Sequence, residues 1–97
     1  MSTYLAGTLV TVTTSFTNST TQAPGDPSTV TLSVSINGAT PTIYTYGTAV
    51  IVKDSVGNYH AELDTTDLPG TWLYVWDGTG GIQATSASGF VVVAAPL

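Results

Sequence analysis

The sequence predicts an all-β domain, an antiparallel sandwich or small barrel of seven or eight short strands, on three observations. Apolar and polar residues alternate wherever a run is long enough to show a period. Such alternation puts successive side chains on opposite faces of a strand, whereas a helix returns to one face about every 3.6 residues. Turn-forming residues recur about every 8 to 12 positions, the rhythm of a chain that folds back on itself in short strands. No segment combines helix formers with helical spacing, so no helix is expected.

In residues 8–17, Val10, Val12, Thr14 and Phe16 fall on one face and Thr11, Thr13 and Ser15 on the other, with Leu9 the one apolar exception. Thr29–Ile36 divides more cleanly, with Val30, Leu32, Val34 and Ile36 against Thr29, Thr31, Ser33 and Ser35. Both read as half-buried strands. Residues 18–28 between them are rich in Thr and Ser and hold Pro24-Gly25-Asp26-Pro27. There each proline removes a backbone donor and the glycine accepts positive φ, which makes a loop. Asn37-Gly38 is the strongest short turn signal, since both residues tolerate the left-handed conformation of a type I′ turn. Short strands follow at 42–46 and 49–53, separated by Gly47, and 54–58 turns at Gly57. Asn58–Asp64 sets Tyr59, Ala61 and Leu63 against His60, Glu62 and Asp64. Leu68-Pro69-Gly70 breaks the chain, residues 71–77 carry Trp72, Tyr74 and Trp76 on one face, and Gly78 to Gly81 make a glycine-rich turn. The last strand material spans 82–93, with Gly89 marking a bulge.

Ninety-seven residues make one domain, 1–97, with short terminal arms at about 1–7 and 94–97. Charged residues are 7% of the chain against roughly 25% in an average soluble protein. Nineteen Thr, eleven Val and nine aromatic residues supply enough β-branched and aromatic mass for a core, so low charge does not mean disorder. Lys53 is the one Lys and there is no Arg, which leaves a net charge of -5. A row of phosphates or anionic lipid heads cannot be neutralised by such a chain, so nucleic acid and acidic membranes are not expected partners. Without Cys there is no disulfide framework, thiol nucleophile or thiolate metal site. Met1 to Gly7 lack the basic and apolar regions of a secretory signal, and no apolar run approaches the roughly 18 residues that span a bilayer.

The segment Asp54-Ser55-Val56-Gly57-Asn58-Tyr59-His60-Ala61 resembles the D-x-x-G-x-Y-x-A signature of bacterial and phage immunoglobulin-like domains. Pro69-Gly70-Thr71-Trp72 and Gly78-Thr79-Gly80 extend the likeness, which runs from Gly7-Thr8-Leu9-Val10 to Gly89-Phe90-Val91-Val92. The resemblance implies an immunoglobulin-like antiparallel β-sandwich of about seven strands, in which Tyr59 pins a corner and Trp72 opens a late strand. Antibody domains place the Asp four residues before the Tyr rather than five and carry a Cys pair absent here, which sets immune-receptor function aside. Stand-alone domains of this kind look like accessory proteins of tailed-phage virions. The expectation is therefore a structural, non-enzymatic virion component, a capsid decoration or neck and tail accessory. Its partners would be the major capsid protein or other virion proteins, with self-association as a further option.

Chemistry is weighed against that expectation. His60, Glu62 and Asp64 share a strand face with about 7 Å between successive members, a spacing from which two ligands reach one metal. A water-facing strand carries polar residues anyway, and a stable site needs three or four convergent ligands, so no metal or other cofactor is expected. His60 is the one His and no G-x-S-x-G elbow exists, so no catalytic residue is assigned. The aromatic set Tyr44, Tyr46, Trp72, Tyr74 and Trp76 is the candidate binding surface. Leu73 and Val75 make the opposite face of its strand apolar too, although a sandwich strand needs only one buried face. Either a wide core absorbs these residues or some of them meet another protein or stack on a sugar ring, the alternative being a cell-surface glycan-binding or adhesion module.

Overall fold

The computed structural model describes residues 2–47, 50–82 and 84–94. Its strands are β1 (Ser2–Leu5), β2 (Leu9–Ser15), β3 (Thr29–Ile36), β4 (Thr42–Thr45), β5 (Ile51–Ser55), β6 (Asn58–Asp64), β7 (Gly70–Thr79) and β8 (Ala84–Val93). No helix occurs among the described residues. Two sheets form, a five-stranded one in the order β1-β8-β7-β3-β4 and a three-stranded one in the order β2-β6-β5. The chain repeatedly crosses between layers, and only β3-β4, β5-β6 and β7-β8 are hairpins. The two sheets, β1-β8-β7-β3-β4 and β2-β6-β5, make a β-sandwich.

Strand alternation decides which residues are inside. Val10, Val12, Val30, Leu32, Val34, Tyr59, Ala61 and Leu63 are all buried, together with Phe16, Ile51, Trp72, Trp76, Phe90 and Val92. Burying a side chain like that of Leu32, fully enclosed here, contributes about 1.5–3 kcal/mol. Trp72 stacks on Phe90 with ring centroids 5.4 Å apart, and Tyr4 meets the same ring edge-on at 5.5 Å. The Asn37-Gly38 turn has positive φ at both residues (54° and 76°), and Ala39 N donates to Ile36 O at 3.0 Å.

The structure departs from the sequence expectation at several points. Residues 2–5, expected as part of an arm, are β1 and raise the strand count to eight. β1 pairs parallel to β8, from Ser2 opposite Phe90 to Leu5 opposite Val93, so the sandwich is not wholly antiparallel. Four residues are too few to show a period, and a partner at the far end of the chain supplies the pairing. Gly89 is not a bulge: it sits in regular register opposite Leu73. The register shift falls instead between Lys53 and Ser55, at Asp54. The strand expected at 42–46 ends at Thr45, and β7 extends past the expected 71–77 at both ends. Ala49 of the expected strand 49–53, Gln83 of 82–93, and residues 1 and 95–97 of the arms lie outside the described residues.

Candidate functional site

The five aromatic candidates do not share a surface. Trp72 and Trp76 are 3% and 1% exposed and belong to the core, because their face of β7 is the one turned toward the second sheet. Trp72 Nε1–H donates to Leu68 O at 3.0 Å, tying the turn before β7 to its own strand. Tyr74 leans over Phe90 at 6.1 Å, and Tyr44 packs on the core from β4. Tyr46 alone is exposed, at 45%, and its ring meets Tyr59 edge-on at 5.3 Å. Of the five, two are thus interior, two more are half-buried and one is exposed.

What β7 turns outward is the other half of the double-sided stripe. Leu73 is 49% exposed, and Ile43 on β4 is 66% exposed. Strand register places Ile43, Ser33, Val75 and Ala87 in one row across four strands of the outer face. Ser35, Leu73 and Gly89 form the next row, and Thr71, Val91 and Thr3 a third. Five of the six carboxylates lie on the three-stranded sheet or in loops, at Asp26, Asp54, Glu62, Asp64 and Asp67. Asp77 is the one carboxylate on the five-stranded sheet, and Thr85 Oγ1 donates to it at 2.6 Å. The molecule is thus electrically two-sided, with a partly apolar face that carries the single carboxylate Asp77 backing an acidic one.

The strongest polar node joins the loop before β3 to the β5-β6 hairpin. Asp26 accepts from Lys53 Nζ at 2.6 Å, Gly57 N at 2.9 Å and the Tyr59 hydroxyl at 3.0 Å. The Lys53 hydrogen bond, and after it that from Gly57, holds the Asp26 carboxyl down at about 2. Burial, and after it the hydrogen bond to Asp26, pushes the Tyr59 phenol up to about 12. This node closes a loop over the core, and it occupies the one lysine.

Two of the metal and catalytic candidates of β6, His60 and Asp64, are engaged in separate local contacts. The bulge at Asp54 brings that carboxylate to His60, with Nδ1 at 2.7 and 2.8 Å from its two oxygens. Asp64 accepts from Thr66 N at 2.9 Å and Thr66 Oγ1 at 2.7 Å, which keeps its carboxyl below the ordinary range. Among the described residues no three His, Asp or Glu side chains gather as a metal site.

A cleft of about 390 Å³ opens between the sheets where both short edge strands give out. β4 covers β3 only from Thr31 to Val34, and the register of β5 on β6 reaches only to Ala61. Ile36 and the segment from Glu62 to Asp64 are left facing each other across a gap lined by Val34, Tyr44, Leu63 and Trp72. Sequence reasoning found neither the Asp26 node nor this cleft. Leu73 and Val75 stand out in the sequence only as surplus apolarity on β7.

Comparison with protein-family models, with curated proteins and with solved structures finds no match to this chain.

Proposed function

We propose that this domain is a structural, non-enzymatic component of a tailed-phage virion. It docks on the major capsid protein or other virion proteins through the outer face of the five-stranded sheet. The observation that carries the reading is the sorting of charge. Ile43, Leu73, Val75 and Val91 sit among Ser and Thr on a face with one carboxylate, while the remaining charges lie elsewhere. Docking desolvates whatever it covers, and a face with a single carboxylate, already hydrogen-bonded to Thr85, keeps low the several kcal/mol that each uncompensated ion would cost. Apolar side chains grouped on one exposed face are the usual mark of a contact site. Repetition of the docked copy around a symmetric shell then multiplies a modest single-site affinity. The virion setting rests on the resemblance of the Asp54-to-Ala61 and Pro69-to-Trp72 segments to phage immunoglobulin-like domains. The glycan alternative has less behind it, because four of its five aromatic residues are interior or half-buried.

The test is co-sedimentation of the purified chain with assembled particles from its source. Wild type should pellet with particles and Leu73→Lys should remain in the supernatant. Wild type remaining in the supernatant overturns the reading.

A further inference from the structure

We infer that the cleft between β4 and β5 receives a lysine or arginine side chain carried on an apolar segment of the docking partner. This deepens the docking reading and rests on it. The cleft's volume lies within the roughly 300–1,000 Å³ typical of ligand sites. Its walls are apolar, from Val34, Ile36, Leu63 and Trp72, and Glu62 and Asp64 stand exposed on one side. An apolar stem ending in a cation matches that combination: the stem buries against the walls while the head stays at the carboxylates. The occupant is not a second copy. The chain's one lysine is already held by Asp26 at 2.6 Å, and no arginine exists to replace it. The cleft is also continuous with the docking face. β4 turns Ile43 outward to that face, and its next residue, Tyr44, lines the cleft. A partner lying over the β4 edge therefore reaches both.

The two indole N–H groups give a built-in reporter, since Trp72 lines the cleft and Trp76 is enclosed in the core. The probe is the peptide acetyl-Val-Lys-Val-amide, titrated into the ¹⁵N-labelled chain. Norleucine and glutamate versions serve as controls. The expected result is a saturable shift of the Trp72 indole signal with the lysine peptide and a still Trp76 signal. Affinity should fall at least tenfold for the norleucine peptide and for the Glu62→Gln/Asp64→Asn variant, whose amides preserve shape and the acceptor for Thr66. No saturable shift, or equal binding of the norleucine peptide, overturns the inference. Particle sedimentation separates the two claims. If wild type and the double variant pellet equally, the cleft assignment fails and docking stands. If wild type does not pellet at all, the docking reading itself fails.

Discussion

The Tyr59 hydroxyl donates to Asp26 Oδ1 at 3.0 Å, joining the floor of the core to a surface loop 33 residues earlier in the chain. Tyr59 is 2% exposed and packs edge-on against Phe16 at 5.8 Å, so its ring is fixed before its hydroxyl is considered. Asp26 in turn anchors Gly57 N–H and Lys53, which closes the loop over one end of the sandwich.

Removing either side of this contact should loosen that end without altering the fold. Tyr59→Phe loses one hydrogen bond and keeps the ring, an expected cost of about 1 kcal/mol. In a domain of this size that lowers the melting temperature by about 4–8 °C. Asp26→Ala should lower it further, because the Tyr59 hydroxyl and Gly57 N–H lose their acceptor together. Thermal unfolding of both variants followed by near-ultraviolet circular dichroism checks the order.

The same node sets the pH limits of stability. Asp26 titrates at about 2 in the folded chain against an ordinary 3.8, so its contribution is complete above about pH 4 and is lost as pH falls toward 2. Asp64 shifts in the same direction and adds to the acid limb. Tyr59 is raised to about 12 from 10.0, and Lys53 is raised from 10.5. The unfolded chain therefore releases these protons first, and stability falls as pH climbs past 10. Denaturant midpoints measured across pH should form a plateau between about 4 and 10. Asp26→Asn should lower the plateau and flatten its acid side.

Much of the sandwich was legible because alternation is a local signal. Thr29–Ile36 and Asn58–Asp64 match their expected bounds, and the inward residues of both are buried except Ile36, which is half-buried at the end of its strand. What escaped depends on partners far along the chain. β1 exists because β8 offers it an edge, and Asp26 is an ordinary loop residue until Tyr59 and Lys53 arrive beside it. The aromatic stripe was visible but its polarity was not. Alternation says that Trp72 and Leu73 face opposite ways, and only the position of the second sheet decides which one is interior. The cleft is a consequence of how far β4 and β5 extend, and strand ends are the least determined part of a periodic pattern.

Two glycines with similar backbone angles should differ sharply in tolerance. Gly38 has φ 76° with open space where a side chain would project, so Gly38→Ala costs only backbone strain, about 1 kcal/mol. Gly57 has φ 78°, and a Cβ there would lie 2.5 Å from Phe16 O and 3.0 Å from Gly25 N. Those are main-chain atoms of the loop that Asp26 closes, and they cannot swing aside. Gly57→Ala should cost on the order of 3 kcal/mol or more. Urea unfolding of the pair measures the contrast, and equal costs would mean that the loop yields.

The charge-poor face should reveal itself in the isolated chain when electrostatic repulsion is removed. Net charge is -5 at neutral pH and vanishes near pH 4.1. There Ile43, Leu73 and Val75 of two molecules can meet without opposing fields. Light scattering is expected to rise as pH falls from 7 toward 4 and to return to baseline on readjustment. Leu73→Lys should abolish the rise while changing stability by less than about 0.5 kcal/mol, since its side chain is half exposed. Val52→Lys makes the same charge change on the acidic sheet, where Val52 is 44% exposed. If the face drives association, Val52→Lys still scatters near its own, slightly higher, isoelectric point. Equal suppression by both substitutions would show that total charge governs the effect and that the outer face of the five-stranded sheet holds no particular affinity.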